Sequence, residues 1–438
     1  MNHTESAKAF VQRQIINAWC LYDWGSSAFS TTVEAAVLPV FFENVVGSQL
    51  GGNLPTVYWG YTNSIALLVS ALLAPVLGGI ADYLGNKKRL LAIFAGIGIF
   101  ATALLTFMNT GMVWPTLILF FVGTVGLAAS YIFYDALLPH IADENEIDFV
   151  SSKGYALGYL GGGILLAINI VMIMFIWPDS TLGTRLSFLT VAIWWAVFTI
   201  PLLRRVPEPP ANTEGIGAGV NPVRASFQRI GQTLHEIRKY GELFKFLIAF
   251  WIYNDGIGTV IKMATIYGAE IGIGMIDLIG ALLLTQFVGI PFSLLFGKFS
   301  HKLGTKRSIM VGLGWYALLM VGGFFMSQPW HFWALAFGVG MVQGGTQALS
   351  RSLFGVMAPK ARSAEFFGFY DVSSKFAGIA GPLLFGVVGQ LMGSSRLSIV
   401  SLMLFFVGGI LLLTRVNEAE GIRVANEENA RAAALGIA

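Results

Sequence analysis

The sequence predicts an all-α membrane protein with twelve transmembrane helices in two pseudo-symmetric six-helix bundles. Three observations carry that prediction. The 438 residues are 55% hydrophobic and 12% charged, with a mean hydropathy of +0.70, against about 25% charged residues in soluble domains. Apolar runs close to the ~20 residues that a bilayer-spanning helix needs follow one another with short polar breaks. A charged hinge, Gly78-Gly-Ile-Ala-Asp82-Tyr-Leu-Gly85-Asn-Lys87-Lys88-Arg89, recurs as Gly297-Lys-Phe-Ser-His301-Lys-Leu-Gly304-Thr-Lys306-Arg307, its first glycine 219 residues on, about half the chain. In each copy a glycine ends one helix, a tight turn follows, and basic residues pin the turn to one membrane face. Two hinges at this spacing imply a duplicated bundle, which is a recognised transporter plan.

Residues 1–13 are polar, and the first span, 14–43, contains Asp23 and Glu34. No small-residue cleavage site follows it, so a retained helix is expected rather than a signal peptide. Further spans are expected at 57–81, 89–108, 113–138, 150–176 and 184–203, and then at 243–269, 276–299, 307–326, 330–357, 363–392 and 395–415. The repeat extends beyond the hinges. The fourth and tenth spans end at Pro139 and Pro359, 220 residues apart, with Ser130 matching Ser350. Tyr22-Asp23 in the first span matches Tyr253-Asn254-Asp255 in the seventh at an offset of about 231, which fits a longer first outer loop.

The bundles are therefore assigned to 1–203 and 243–415. Residues 204–242 form a linker: Pro207-Glu-Pro-Pro210 and Gly215–Gly219 read as flexible. Phe227, Ile230, Leu234 and Ile237 recur at helical spacing among Arg224, Arg229, Arg238 and Lys239, as in a helix lying on an anionic membrane surface; a plain tether is the alternative. The tail, 416–438, is polar and alanine-rich and is expected to be mostly disordered.

Twelve spans put both termini on one side. Sorted by alternate loops, 22 of the 27 Lys and Arg fall on that side, Arg185 and Arg396 on the other, and Lys262, Arg351 and Lys375 within spans. The bias makes that side cytoplasmic and the protein a multi-pass resident of the cell's inner membrane. Cys20 is the only cysteine, which excludes an intrachain disulfide and a thiolate metal site. The five histidines show no metal-ligand spacing, and the glycine-rich segments lack the strand-turn-helix setting of a phosphate loop. No cofactor, metal or nucleic-acid partner is expected; the partners are the bilayer, a small-molecule substrate and protons.

The two hinges resemble the signature loop of the major facilitator superfamily, between its second and third helices and again between the eighth and ninth. Asn86 stands where that signature usually has arginine, and His301 where the first copy has aspartate. The second loop is thus expected to lack the charge latch. A narrower likeness runs through Trp19-Cys-Leu-Tyr-Asp-Trp-Gly-Ser-Ser-Ala28, Ser151-Ser-Lys-Gly-Tyr-Ala-Leu-Gly-Tyr-Leu-Gly-Gly-Gly163, Tyr253-Asn-Asp-Gly256, Gln347-Ala-Leu-Ser-Arg-Ser352 and Ala364-Glu-Phe-Phe-Gly-Phe-Tyr370. These are similar to one branch, the autophagy-related vacuolar amino-acid effluxers and their bacterial relatives.

A charge at the bilayer centre costs ~2.5–3.5 kcal/mol on insertion scales, so it is rarely idle. Asp23 and Glu34, eleven residues apart, would share one face of an α-helix. Asp255 and Lys262 nearly share one on the seventh span. Arg351 has Gln347 and Gln343 at successive i−4 steps, and Asp371 and Lys375 stand at i, i+4, where they can meet. The resemblance implies that the first, fourth, seventh and tenth helices surround a central cavity. Asp23, Glu34, Asp255 and Arg351 would then share one aqueous site, with Tyr22, Tyr253, Asn254 and Gln347 as polar handles. Arg351 would grip a carboxylate through its fork and Asp23 or Asp255 would meet an ammonium. Asp23, Glu34 and Asp255 are the candidate proton carriers.

Gating is assigned to Gly78, Asp82, Gly85, Lys87, Gly297 and Gly304, and to Asp135 near the inner end of the fourth span. Asp82 is expected to take hydrogen bonds from the amide-rich start of the eleventh helix, near Ser363 to Phe366. Asp371 and Lys375 read equally as an interface pair and as a binding element. Lys262 is expected to snorkel and Glu270 to face outer water. Gly161-Gly-Gly163 and the Gly378, Gly381, Gly386 and Gly389 series are expected to serve helix packing. The function this implies is a secondary active transporter, not an enzyme, moving a small polar solute such as an amino acid, related zwitterion or organic anion by alternating access, with proton coupling. The rivals are a broad-specificity exporter of amphipathic compounds and, further off, a multispan enzyme or lipid scramblase.

Overall fold

A chain crossing hydrocarbon must close its backbone hydrogen bonds within each segment, and the apolar runs here do so as helices. A computed structural model describes residues 3–51, 54–178, 180–212, 221–235, 239–270, 273–377, 380–392 and 395–435. Among them no strand occurs, and eleven helices are long and apolar enough to cross a bilayer. The helix that makes a twelfth, Pro329–Met357, has the length at 29 residues. It is less apolar because its mid-section carries Gln343, Gln347 and Arg351 toward the protein interior.

The first helix, His3–Ala28, continues as a π-wound stretch, Phe29–Val37, and reaches Val46 through Leu38–Phe41 and Phe42–Val46. This corrects the placement of Glu34. Eleven residues make three turns only of an α-helix; the i→i+5 winding beyond Ala28 takes Glu34 off the Asp23 row. The second to sixth helices are Leu54–Leu84, Lys87–Leu104, Val113–Ile141, Ile147–Val171 and Leu182–Arg205. The seventh to ninth are Gly241–Glu270, Met275–Leu303 and Thr305–Phe324. The hinge glycines do what their positions require: Gly85 has φ 61° and Gly304 φ 85°, values that only glycine adopts cheaply. The eleventh span is not one helix. Ser363–Phe376 stops at Ala377, whose ψ of 117° is extended, and Ala380–Met392 resumes beyond it. The twelfth is Ser395–Ser401 followed by Met403–Thr414.

The repeat read from the sequence reappears as one bond made twice. Tyr22 donates to Ser130 Oγ at 2.5 Å, joining the first and fourth helices. Tyr253 and Ser350 join the seventh and tenth at 2.6 Å. Both tyrosines are fully buried, so they staple helices together and are not the substrate handles expected of them.

The two halves meet on the side bearing the basic hinges, hereafter the basic side. The second helix packs on Ser363–Phe376 and the fifth on the eighth. Glycines set the approach: a Cβ on Gly78 would lie 2.0 Å from Ala364 O, one on Gly368 2.6 Å from Ala74 O, and one on Gly297 2.7 Å from Ser152 Oγ. Beyond the break, Ala380–Met392 packs on the seventh helix and on Ser395–Ser401.

Two segments expected to be loose are docked here. In the linker, Glu208 accepts the Lys88 backbone N–H at 3.0 and 3.1 Å, and Asn212 donates from its backbone to Asp82 O at 2.8 Å and from its amide to Ala361 O at 3.1 Å. Partial desolvation at the junction pushes the Glu208 carboxyl above its usual value, against the pull of Lys88 and Lys87. The linker helix Pro222–His235 presents small residues to the second helix: Ala225, Ser226 and Thr233 are buried, and Ser226 donates to Val76 O at 2.8 Å. Phe227, on the row expected to face the membrane surface, is exposed; the side chains of Arg229 and Leu234 lie outside what the structure describes, as do Ile237, Arg238 and Gly215–Gly219.

The tail forms the helix Glu418–Ala434, started by Asn417 accepting from Glu420 N. It docks through Gly421 on Met357, Asn429 on Lys360 N and Asn426 on Glu144. Alanine-rich composition suggests disorder, but a small-residue face is what close docking on Met357 requires.

Candidate functional site

Arg351 is the centre of the charged cluster. Only 2% of its surface is exposed, and its polar partners come from the other half. Nε donates to Ser151 Oγ and Nη2 to Ser151 O, both at 2.9 Å. Nη1 donates to Asp135 Oδ1 at 3.1 Å and lies 3.6 Å from Asp23 Oδ2. The guanidinium plane lies over Tyr155 at 4.5 Å and Trp19 at 5.0 Å from their centroids, contacts that favour a planar cation.

Asp23 is held from several sides. Tyr131 donates to Oδ1 at 2.9 Å and Tyr134 to Oδ2 at 3.2 Å. Glycine in the fifth helix makes the room: a Cβ on Gly154 would stand 3.1 Å from Arg351 Nη2 and 3.2 Å from Asp23 Oδ2. Gly158 sits against the other oxygen, where a Cβ would be 3.2 Å from Asp23 Oδ1. One cation and two carboxylates thus meet between the halves, Asp23 buried and Asp135 half-buried. Arg351 is six residues from the end of its helix at Met357, about 9 Å along the axis. The cluster therefore lies toward the basic side and not at mid-depth. Gln347 and Gln343, one and two turns further from that side, are half-buried, as are Asn254 and Tyr159.

Asp255 is elsewhere, and this corrects its assignment to a shared site with Asp23 and Arg351. Its carboxylate accepts from the backbone N–H groups of Ala380 and Gly381 at 3.0 Å each. It caps the resumed half of the eleventh helix, and Gly381 lets it approach, since a Cβ there would fall 2.8 Å from Asp255 Oδ1. Asp255→Ala should lower stability by about 1 kcal/mol, the usual cost of a lost cap, measured as thermal unfolding in detergent. Asp255→Asn, which keeps an acceptor, should transport with the pH profile of the unaltered chain; a shifted profile would return Asp255 to a coupling role.

On the basic side, Asp82 and Lys87 form a fully buried ion pair at 2.7 Å. Asp82 also accepts from Ala364 N at 3.2 Å and Glu365 N at 2.8 Å. The contact with the start of the eleventh helix is the one its position predicts. The second hinge has a counterpart that the sequence did not reveal. Asp148, at the start of the fifth helix, accepts from Thr305 Oγ1 at 2.6 Å and from the Ser352 hydroxyl. Where His301 leaves the eighth helix without a carboxylate, the opposing half supplies one.

Asp371 and Lys375 meet at 3.7 Å. The side chains of Lys262 and Glu270 lie outside the described residues, as does Gly378. The site also holds Tyr131, Tyr134, Tyr155, Trp19, Ser151 and Asp148, to which the sequence alone gives no role; Trp19, Ser151 and Tyr155 lie within the motifs quoted above, the one signal that marks them. No group of three or more His, Cys, Asp or Glu suited to a metal ion occurs among the described residues.

Comparison with known proteins agrees with this fold. Residues 56–426 match the family model "Vacuole effluxer Atg22 like". The chain is 39% identical over 429 residues to the uncharacterized MFS-type transporter YxiO of Bacillus subtilis (strain 168), covering 96% of this chain and 99% of that one. It is 24% identical to autophagy-related protein 22-1 of Penicillium rubens, covering 85% and 77%. In fold it is similar to the proton:xylose symporter XylE, with TM-score 0.71, 15% identity and coverage of 94% and 96%. It is similar also to the human organic anion transporter MFSD10, with TM-score 0.74, 10% identity and coverage of 92% and 99%. The chain belongs to the Atg22-like family of the major facilitator superfamily and is a membrane transporter.

Proposed function

We infer that the protein moves a small zwitterion of the amino-acid class by alternating access, with the basic side cytoplasmic and closed in this structure. The observation that carries the reading is the pairing of Arg351 with both Asp23 and Asp135 across the two halves. A substrate carboxylate reaching this cluster from the far side competes with Asp135 for the guanidinium fork, and its ammonium replaces Arg351 beside Asp23. The exchange removes a bond between the halves, so substrate binding favours opening of the basic side, as a ligand must if it is to shift a conformational equilibrium. Two carboxylates around one cation leave a net negative charge in a buried place. That imbalance supports proton coupling at the Arg351 cluster. The half-buried Gln343, Gln347 and Asn254 favour a polar solute over a broad range of amphiphiles.

Counterflow in proteoliposomes loaded singly with neutral, acidic and basic L-amino acids tests the reading. At least one class should exchange, with a rate that depends on pH, and Asp23→Asn should lose the pH dependence. Exchange of organic anions or amphipathic cations but of no amino acid would sink the substrate assignment. A pH-independent rate in the unaltered chain would remove the proton.

A further inference from the structure

A trough of about 600 Å³ runs down the outer surface of the second half, between the eighth, ninth and tenth helices. Its walls are apolar. Leu295, Phe299 and Leu303 come from the eighth helix and Val311 and Leu318 from the ninth, each at least 40% exposed. Trp315 stands as a fixed wall because its indole N–H donates to Gly338 O at 3.0 Å. Gly314 lines the trough, and no atom lies within 4 Å of the place its Cβ would take. The trough is concave, lipid-facing and separate from the Arg351 cluster, whose partners lie in the first half.

The mouth on the basic side is cationic. Leu303 and Ser308 line the trough on either side of the Gly304 turn, and Lys302 and Arg307 are exposed beside them. Helical spacing places both at the edge of the trough. Arg307 precedes Val311 by four residues and Gly314 by seven; Lys302 follows Phe299 by three and Leu295 by seven. Neither forms an ion pair among the described residues, whereas the adjacent Lys306 is engaged with Val416 O at 2.8 Å. The first turn of the ninth helix holds no acidic residue of its own, and the carboxylate beside it, Asp148 of the fifth helix, is engaged with Thr305 and Ser352.

We propose that this trough binds one anionic phospholipid, with an acyl chain along Leu295, Val311 and Gly314 and the phosphate between Lys302 and Arg307. The acyl chain fills a groove that membrane-facing side chains leave open, and the headgroup supplies the anion that the two cations lack. Such a lipid touches both helices that flank the second hinge and so belongs to the structure of the closed basic side.

The test uses the whole chain in bilayers of phosphatidylcholine containing phosphatidylglycerol brominated in its acyl chain. Bromine quenches a nearby indole, and subtracting the signal of Trp315→Phe isolates Trp315 from the other tryptophans. Brominated phosphatidylglycerol should quench Trp315 with a preference of roughly 30-fold over brominated phosphatidylcholine, from two basic side chains near an anionic headgroup. Lys302→Gln with Arg307→Gln should reduce the preference to that of bulk lipid. Gly314→Leu, which has open space to enter and removes a helix-weakening glycine, should lower quenching by both lipids to the level that bulk bilayer lipid gives, without lowering the melting temperature. Soluble glycerol phosphate should not compete, because it lacks the chain. Equal quenching by the two lipids, a preference that survives the double substitution, or competition by glycerol phosphate would each overturn the assignment.

Discussion

Arg351→Gln is expected to abolish transport and to open the basic side. Among the described residues the guanidinium is the one cation paired with Asp23 and Asp135, and its removal leaves a buried and a half-buried carboxylate with no charge to meet. Breaking a buried pair in this way costs about 3–5 kcal/mol, which is enough to shift a two-state equilibrium by more than ~100-fold. A Ser152→Cys reporter reads the shift, because Ser152 is buried against Gly297 across the junction of the halves. Background labelling should be low, since the one native cysteine, Cys20, is also buried. Labelling of the introduced thiol should rise on Arg351→Gln. Adding Asp135→Asn should restore part of the lost stability, since one of the two uncompensated charges goes with it, yet should not restore transport. That split separates a structural cost from a role in the cycle. Recovery of transport in the double variant would mean that the cluster only holds the fold, and the substrate role given to Arg351 would be withdrawn.

The parts of the molecule that follow from local chemistry or from duplication were legible in the sequence. Hinge glycines with positive φ and the seat of Asp82 on the eleventh helix come from short motifs, and the repeat matched Tyr22 with Tyr253 and Ser130 with Ser350, though not the tyrosine–serine bonds themselves. The parts that depend on a helix departing from α geometry were not. Glu34 moved because the first helix winds wider after Ala28. Asp255 left the central cluster because the eleventh helix breaks after Phe376 and offers it two free amides. Pro382 stands in the first turn of the resumed helix, where proline is tolerated, but among glycines inside an apolar span it does not by itself mark a break. Asp148 illustrates a different limit. Its partners Thr305 and Ser352 are 157 and 204 residues away, and nothing local in the fifth helix points to either. The docking of the tail and of the linker helix escapes the sequence for a related reason. Hydrophobicity signals burial, but Ala225, Ser226, Ala425 and Ala432 are buried by close backbone approach, to which apolar patterning is blind.

Gly78→Ala should prevent the basic side from closing and so stop the cycle, although it adds one methyl group. The added carbon would lie 2.0 Å from Ala364 O and 2.6 Å from the Ala364 carbonyl carbon. Both neighbours are backbone, so no side chain can turn aside; the second and eleventh helices must separate. Separation also lengthens the bonds from Ala364 N and Glu365 N to Asp82, and these are what join the first hinge to the opposite half. Overpacking alone costs about 1–3 kcal/mol, and the lost hydrogen bonds to a charged group add about 1.5–3 kcal/mol each where they break. The Ser152→Cys reporter should therefore label as readily as in Arg351→Gln, and uptake should fall to background. Gly60→Ala is the control. It lies on the same helix with nothing within 4 Å of its Cβ position, so it should leave both measurements unchanged. Gly368→Ala, with its Cβ 2.6 Å from Ala74 O, should reproduce the Gly78 result from the other half. If both junction variants transport normally while Gly60→Ala behaves as expected, the contact between the second and eleventh helices is not the gate, and Asp82 must be reassigned to holding its own hinge through Lys87.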